Sequence, residues 1–187
     1  MTKQELRGQY LQKRQEAPPA LLEQLSEAIA AHVLRYVKEQ GVKAVMAYAD
    51  VRNEPKTEKL IRALLRENVC VGLPKCGTKG KMEAFRLRDW DELTTGRYGI
   101  LEPGGDEFLA PEGFGLVLVP GSCFGFDMNR LGYGGGYYDR YLPRCRNAVY
   151  AGVCYGFCME ETVPRDDFDI PMDFVFTEAG LVTAQFI

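Results

Sequence analysis

The chain has a single histidine in 187 residues, and that scarcity removes several chemistries at once. A Ser-His or Cys-His nucleophile pair would have to recruit His32, which sits in a helical pattern with no metal-ligating neighbour. No Gly-x-Ser-x-Gly elbow is present, since Ser122 stands in Pro-Gly-Ser-Cys-Phe. The cysteines, Cys70, Cys76, Cys123, Cys145, Cys154 and Cys158, form no Cys-x-x-Cys pair, so free and mostly buried thiols are expected rather than a zinc site. No apolar run reaches the ~20 residues of a membrane span, and the start MTKQELRGQYLQKRQE lacks the pattern of a signal peptide. Reduced thiols without a secretion signal lead us to expect a cytoplasmic protein that engages no membrane. The net charge of −3 argues against a nucleic-acid partner held by bulk positive charge.

What is present reads as helices alternating with strands. Residues 2–16 are charged and, Gly8 apart, free of Gly and Pro, which predicts a first helix. Pro18-Pro19 breaks it and opens a second helix to about Gln40. There Leu21, Leu22, Leu25, Ile29, Val33 and Val37 recur at three to four residues. KAVMAYAD (43–50) predicts a buried strand, Thr57–Glu67 a short amphipathic helix, and Val69–Leu73 and Met82–Leu87 two further strands. Gly, Pro and charge from Asp89 to Gly115 predict one long surface loop. Leu116–Val119, Ala148–Cys154, Phe174–Thr177 and Leu181–Phe186 complete the expected strands. The alternation predicts an α/β fold, a single-domain layered structure over residues 1–187 with a largely parallel, mixed central sheet flanked by helices. Ligands of such sheets gather at the carboxyl ends of strands, where the loop around residue 50 and residues 120–139 should fall.

The most informative stretch is Arg130–Asp139, RLGYGGGYYD, with four glycines and three tyrosines. Glycine loses more backbone freedom on ordering than any other residue. Such a run makes sense where the backbone turns with positive φ or approaches a ligand closely. A bound phosphate asks for both, because successive N–H groups converge on its oxygens only where no Cβ intervenes. A helix from Tyr137 would add free donors at its start. The run is not a Walker A loop, because no Lys-Ser or Lys-Thr follows, nor a dinucleotide fingerprint, whose third glycine would fall at Tyr137. A tight glycine turn between strand and helix is the alternative. Carboxylates, arginines, lysines and glycine amides remain, the groups that phosphoryl transfer with Mg2+ uses.

Val119-Pro120-Gly121 followed by Asn129-Arg130-Leu131-Gly132-Tyr133-Gly134-Gly135-Gly136-Tyr137-Tyr138-Asp139-Arg140-Tyr141-Leu142 resembles the signature of the 5-formyltetrahydrofolate cyclo-ligases, also called 5,10-methenyltetrahydrofolate synthetases. The opening Lys3-Gln4-Glu5-Leu6-Arg7, the block Asn53–Glu58, Tyr98-Gly99-Ile100-Leu101-Glu102-Pro103 and the tail Asp169, Asp173, Thr177-Glu178 extend the resemblance. It implies an ATP-dependent enzyme that cyclises 5-formyltetrahydrofolate to 5,10-methenyltetrahydrofolate by phosphorylating the formyl oxygen, releasing ADP and phosphate. Chemistry of this kind relies on positioning and charge neutralisation, so the scarcity of histidine is no obstacle.

Carried residue by residue, the resemblance implies that Lys3 and Arg7 reach the ATP phosphates from one face of the first helix. Arg130, Leu131, Gly132, Tyr133, Gly134, Gly135, Gly136, Tyr137 and Tyr138 wrap the triphosphate. Asp139 and Asp169 hold Mg2+. Asn53, Glu58, Tyr98, Tyr133 and Tyr137 face the folate, with Glu58, Arg130 and Tyr137 as catalytic residues in a monomer. Plainer readings stand beside these: Asp139 as a first-turn cap, Asp169 as part of a solvated acidic run, Glu58 as an ordinary helix glutamate, and the tyrosines as core.

Three positions depart from the family pattern. Gly125 follows Phe124 where the family usually has aspartate, so this chain must use Asp127 in a shifted backbone or do without that carboxylate; Phe168 precedes Asp169 where histidine is common; and Cys158 stands where glutamine is common. They keep other functions in view: a non-catalytic nucleotide-binding relative, or an ATP-dependent enzyme acting on another N-acyl substrate. An RNA-binding module is disfavoured by the acidic balance.

Overall fold

The computed structural model describes residues 1–184. Helices α1 (Lys3–Glu16) and α2 (Pro19–Glu39) come first, then β1 (Ala44–Met46), α3 (Glu58–Arg66), β2 (Cys70–Cys76) and β3 (Met82–Leu87). The middle of the chain holds β4 (Leu93–Thr95), β5 (Leu101–Pro103), β6 (Phe108–Leu109) and β7 (Leu116–Val119). After them come β8 (Cys123–Gly125), β9 (Arg130–Leu131) and α4 (Tyr137–Tyr141). The last strands are β10 (Val149–Val153), β11 (Met159–Glu160), β12 (Phe174–Thr177) and β13 (Gly180–Val182).

The main sheet has the order β13-β12-β10-β7-β1-β2-β3-β6. Strands β12, β10, β7, β1 and β2 run parallel. Antiparallel strands finish both edges, β13 on one side and β3 with β6 on the other. The sheet is therefore mixed and largely parallel, as expected. All four residues of β7 are buried, which suits a central strand covered on both faces. From β1 the chain moves one way through α3 to β2, while β7 leads the other way to β10 and β12. That reversal makes a crevice beyond the carboxyl ends of β1 and β7, where open α/β sheets bind ligands.

The helices follow local rules. Thr2 caps α1 in a reciprocal box: its hydroxyl accepts the Glu5 N–H at 3.2 Å and its own N–H donates to Glu5 Oε2 at 2.7 Å. Leu6, Tyr10 and Arg14, four residues apart, form its buried stripe. Pro19 at the start of α2 has its φ already set for a helix. Leu22, Ile29, Val33 and Val37 bury the inner face of α2, and Tyr36 lies 5.1 Å from Phe174 and 5.7 Å from Phe176, ring centre to ring centre. Among the described residues no helix is long and apolar enough to cross a membrane.

Several expectations change. The strand at 43–50 is only Ala44–Met46, because residues after Met46 leave the sheet to line the crevice. The loop foreseen over Asp89–Gly115 contains a hairpin, with Leu93 opposite Pro103 and Thr95 opposite Leu101, and the edge strand β6. A small sheet, β11-β8-β9, was not foreseen at all. Residues 185–186 of the strand expected at Leu181–Phe186 lie outside the described residues. At Gly125 an added Cβ would collide with Asp127 Oδ1. Asp127 accepts hydrogen bonds from Asn129 N (3.1 Å), Asn129 Nδ2 (2.8 Å) and Val163 N (3.3 Å), so it organises the turn between β8 and β9 in place of an aspartate at 125.

Candidate active site

A cleft of about 580 Å3 opens at the crevice, within the size range of small-molecule sites. The segment after β1 lines it with Tyr48, Arg52 and Glu54, α1 with Lys3 and Arg7, the hairpin with Tyr98 and Glu102, and the tail with Asp166, Phe168 and Asp169. The floor is the stretch from Arg130 to Asp139, which leaves the small sheet at Leu131.

In that stretch Gly134 and Gly136 take φ of +95° and +63°, values strained for any residue with a side chain. A Cβ at Gly136 would stand 2.8 Å from Arg140 Nη1. Arg7 Nε donates to Gly132 O at 2.7 Å, so α1 braces the glycine loop. Helix α4 has only five residues. Its dipole is correspondingly short, so what this stretch could offer an anion lies in the loop amides and the side-chain charges beside them.

Arg130 is buried, 8% exposed, and its Nη2 donates to Asp139 Oδ2 at 3.0 Å. Nη1 donates to Pro120 O at 3.3 Å, the guanidinium lies 5.6 Å from the Tyr138 ring centre, and Nε has no partner. Asp139 Oδ1 accepts the Ile170 N–H at 3.1 Å. Lys3 Nζ donates to Asp166 Oδ2 at 2.7 Å and Asp169 Oδ2 at 2.6 Å. Partial burial would raise the Asp169 carboxyl, but the Lys3 ammonium and the Asp166 N–H outweigh it and hold it below its ordinary value.

The residues expected to face the folate divide. Tyr133, Tyr137 and Tyr98 line the cleft, and the Tyr98 and Tyr137 hydroxyls lie 3.2 Å apart. Tyr98 holds φ of +61° and is 69% exposed, a flat ring presented at the mouth. Asn53 lies beside the cleft without lining it, and its Nδ2 donates to Arg14 O at 3.3 Å. Glu58 is a correction. It is exposed on the outer side of α3, paired with Arg62 at 2.9 Å, because Leu60, Ile61 and Leu64 take the buried face of that helix.

Of the carboxylates that line the cleft, the fully buried one is Glu54, 2% exposed. It accepts from the Tyr133 hydroxyl at Oε1 and from Val51 N at Oε2, the latter at 2.9 Å. Burial pushes its carboxyl up to about 7, against the pull of Tyr133, the Val51 amide and Arg14. Sequence reasoning quoted the block that holds Glu54 but named Glu58 from it, and the structure brings Glu54 rather than Glu58 into the cleft. Two residues in left-handed backbone, Arg52 and Asn53 with φ of +52° and +54°, lead into Glu54 in the segment that lines the cleft.

Mg2+ fits the donors. Asp139 and Asp169 are hard oxygen ligands on one cleft wall, and Asp169 Oδ1 carries no hydrogen bond. No group of three or more His, Cys, Asp or Glu suited to a metal occurs among the described residues. An ion here would draw its remaining ligands from phosphate and water, as Mg2+ commonly does.

The family model described as the 5-formyltetrahydrofolate cyclo-ligase family matches residues 1–178. The chain belongs to the 5-formyltetrahydrofolate cyclo-ligase family. The 5-formyltetrahydrofolate cyclo-ligase of Mycolicibacterium smegmatis is 29% identical, with 98% of each chain covered. The mouse 5-formyltetrahydrofolate cyclo-ligase is also 29% identical, over 78% of each chain. The solution structure of Aquifex aeolicus 5,10-methenyltetrahydrofolate synthetase superposes with a TM-score of 0.87 at 32% identity, covering 100% of this chain and 95% of that one. Against that family background, two departures have a place in the structure: Phe168 is a 70% exposed ring on the cleft rim, and Cys158 is buried away from the cleft.

Proposed function

We propose that this cleft binds ATP and 5-formyltetrahydrofolate side by side and catalyses ATP-dependent closure to 5,10-methenyltetrahydrofolate, releasing ADP and phosphate. The observation that carries this reading is the meeting, in one cleft, of a glycine loop braced by cations with a buried, hydrogen-bonded carboxylate, Glu54. In this reading the chain acts as a monomer, one catalytic domain over 1–187. Six free thiols suit a reducing cytoplasm.

The loop amides from Gly132 to Gly136, with Arg130 and Arg7, receive the triphosphate. Lys3 exchanges its carboxylate partners for phosphate when ATP arrives. Asp139 and Asp169 would hold Mg2+, which would neutralise charge on the phosphates when bound. Tyr98 and Tyr137 stand over the folate rings and shield the reacting atoms from water.

The formyl oxygen then attacks the γ-phosphorus and ADP leaves, so the formyl carbon gains a phosphate leaving group. The N10 lone pair attacks that carbon, and the N10 proton passes to the Glu54 carboxylate. Phosphate departs with the C–O electron pair, leaving the methenyl bridge with its positive charge shared by N5 and N10. A base titrating near neutrality suits the transfer. Near-ultraviolet absorbance of the methenyl product tests the reading. Product that requires both ATP and 5-formyltetrahydrofolate is expected, and ATP binding without product would sink the assignment.

A further inference from the structure

Arg14 is a fixed positive charge inside the protein that phosphate binding does not explain. It is 1% exposed and does not line the cleft. Nη2 donates to the Tyr133 hydroxyl at 3.0 Å and Nη1 to Gly121 O at 3.3 Å, while Nε has no partner. The Tyr133 hydroxyl donates in turn to Glu54 Oε1. A guanidinium is expensive to bury with incomplete pairing. Here it stands one tyrosine behind the carboxylate that faces the ligand. Arg52, 4.9 Å from the centre of the Tyr133 ring, adds a second cation on the cleft side.

We propose that Arg14 is a positioning residue: acting through the Tyr133 hydroxyl, it fixes the orientation and the ionised state in which Glu54 takes the N10 proton. The proposal rests on the cyclo-ligase reading and deepens it, since Arg14 touches no substrate. Charged and titratable groups face Glu54 from every side. Arg14 comes from α1, Tyr133 from the glycine loop, Tyr48 and Asp50 from the segment after β1, and Tyr138 from α4. Tyr155, after β10, donates its hydroxyl to the Glu54 backbone oxygen at 3.0 Å and so fixes the main chain.

Burial and Asp50 favour the protonated acid, whereas Tyr133, the Val51 amide and Arg14 favour the carboxylate. Burial, then Glu54 itself, holds the Tyr133 hydroxyl above its ordinary range, so it stays a donor. Removing the Arg14–Tyr133 link therefore leaves Glu54 protonated to higher pH. Its orientation then rests on the Val51 amide alone.

Carbon-13 NMR of the side-chain carboxyls, with Glu54 assigned by Glu54→Gln, reads this directly in the whole protein without turnover. Wild type is compared with Tyr133→Phe, Arg14→Met and Arg14→Lys. Tyr133→Phe removes one oxygen and serves if Arg14→Met does not fold. The Glu54 midpoint should rise by about one pH unit in Tyr133→Phe and Arg14→Met, a roughly tenfold loss of carboxylate near neutrality, and Arg14→Lys should recover part of it. The acid limb of kcat for methenyl formation should move by the same amount. An unmoved midpoint in folded Tyr133→Phe overturns the proposal even if activity falls. If the midpoint moves but wild type makes no methenyl product, the cyclo-ligase reading fails and the assignment of a proton-transfer step to Glu54 falls with it.

Discussion

Glu54→Gln should change how the protein's stability depends on pH. Burial lifts the Glu54 carboxyl from an ordinary 4.5 to about 7, so the folded state holds this proton more tightly than the unfolded chain. The stabilisation is fully present below about 4.5 and is lost as pH rises through about 7. At roughly 1.36 kcal/mol per pKa unit, that rise corresponds to about 3 kcal/mol. Glutamine has nearly the same shape and does not titrate. Urea unfolding of both proteins at steps from pH 4.5 to 8.5 gives two stability curves, and their difference cancels every other titrating group, the Lys3–Asp169 pair included. Wild type should lose about 3 kcal/mol relative to Glu54→Gln across that range. A difference that stays constant within ~0.5 kcal/mol would refute the claim that this carboxylate is held in a dry site.

Three further outcomes follow from the cleft. Asp139→Asn leaves the buried Arg130 guanidinium without its counter-charge and should destabilise the fold by about 3 kcal/mol. It should also abolish the thermal shift given by Mg·ATP, and melting curves with and without nucleotide read both effects. Gly136→Ala forces a side chain to φ +63° against Arg140 and should cost about 1–2 kcal/mol while raising KM for ATP, as steady-state kinetics would show. Tyr98→Ala, at an exposed position, should leave stability within ~0.5 kcal/mol but raise KM for the folate several-fold, with KM for ATP unchanged.

Strong periodic signals were legible in the sequence. The α2 stripe from Leu22 to Val37, the apolar β7 and the break at Pro18-Pro19 fall where expected, because each is decided locally by pattern and backbone chemistry. The hairpin of β4 and β5 was hidden, since Leu93–Thr95 and Leu101–Pro103 are three residues each amid Gly and charge. Such short strands exist only because they pair with each other. Strands β8 and β9 were hidden for the same reason, and they are what sets the glycine loop at the crevice. At the site, the glycine loop was readable from residue type, whereas Lys3, Arg7 and Arg130 were named only through the family resemblance. The choice between Glu54 and Glu58 was not readable. It depends on how the left-handed pair Arg52-Asn53 turns the chain before α3 begins. The Arg14–Tyr133–Glu54 chain was beyond reach, because its members lie 119 and 79 residues apart.

The measurement that tests the account most directly compares single-turnover methenyl formation by wild type, Glu54→Gln and Glu58→Gln, with ATP and 5-formyltetrahydrofolate in one optical assay. Glu58 sits in an exposed helix ion pair, so Glu58→Gln should turn over within about twofold of wild type. Glu54→Gln should lose at least ~100-fold, the scale of a missing general base. The reverse order, with Glu58→Gln inactive and Glu54→Gln near wild type, would contradict the placement of the chemistry in this cleft.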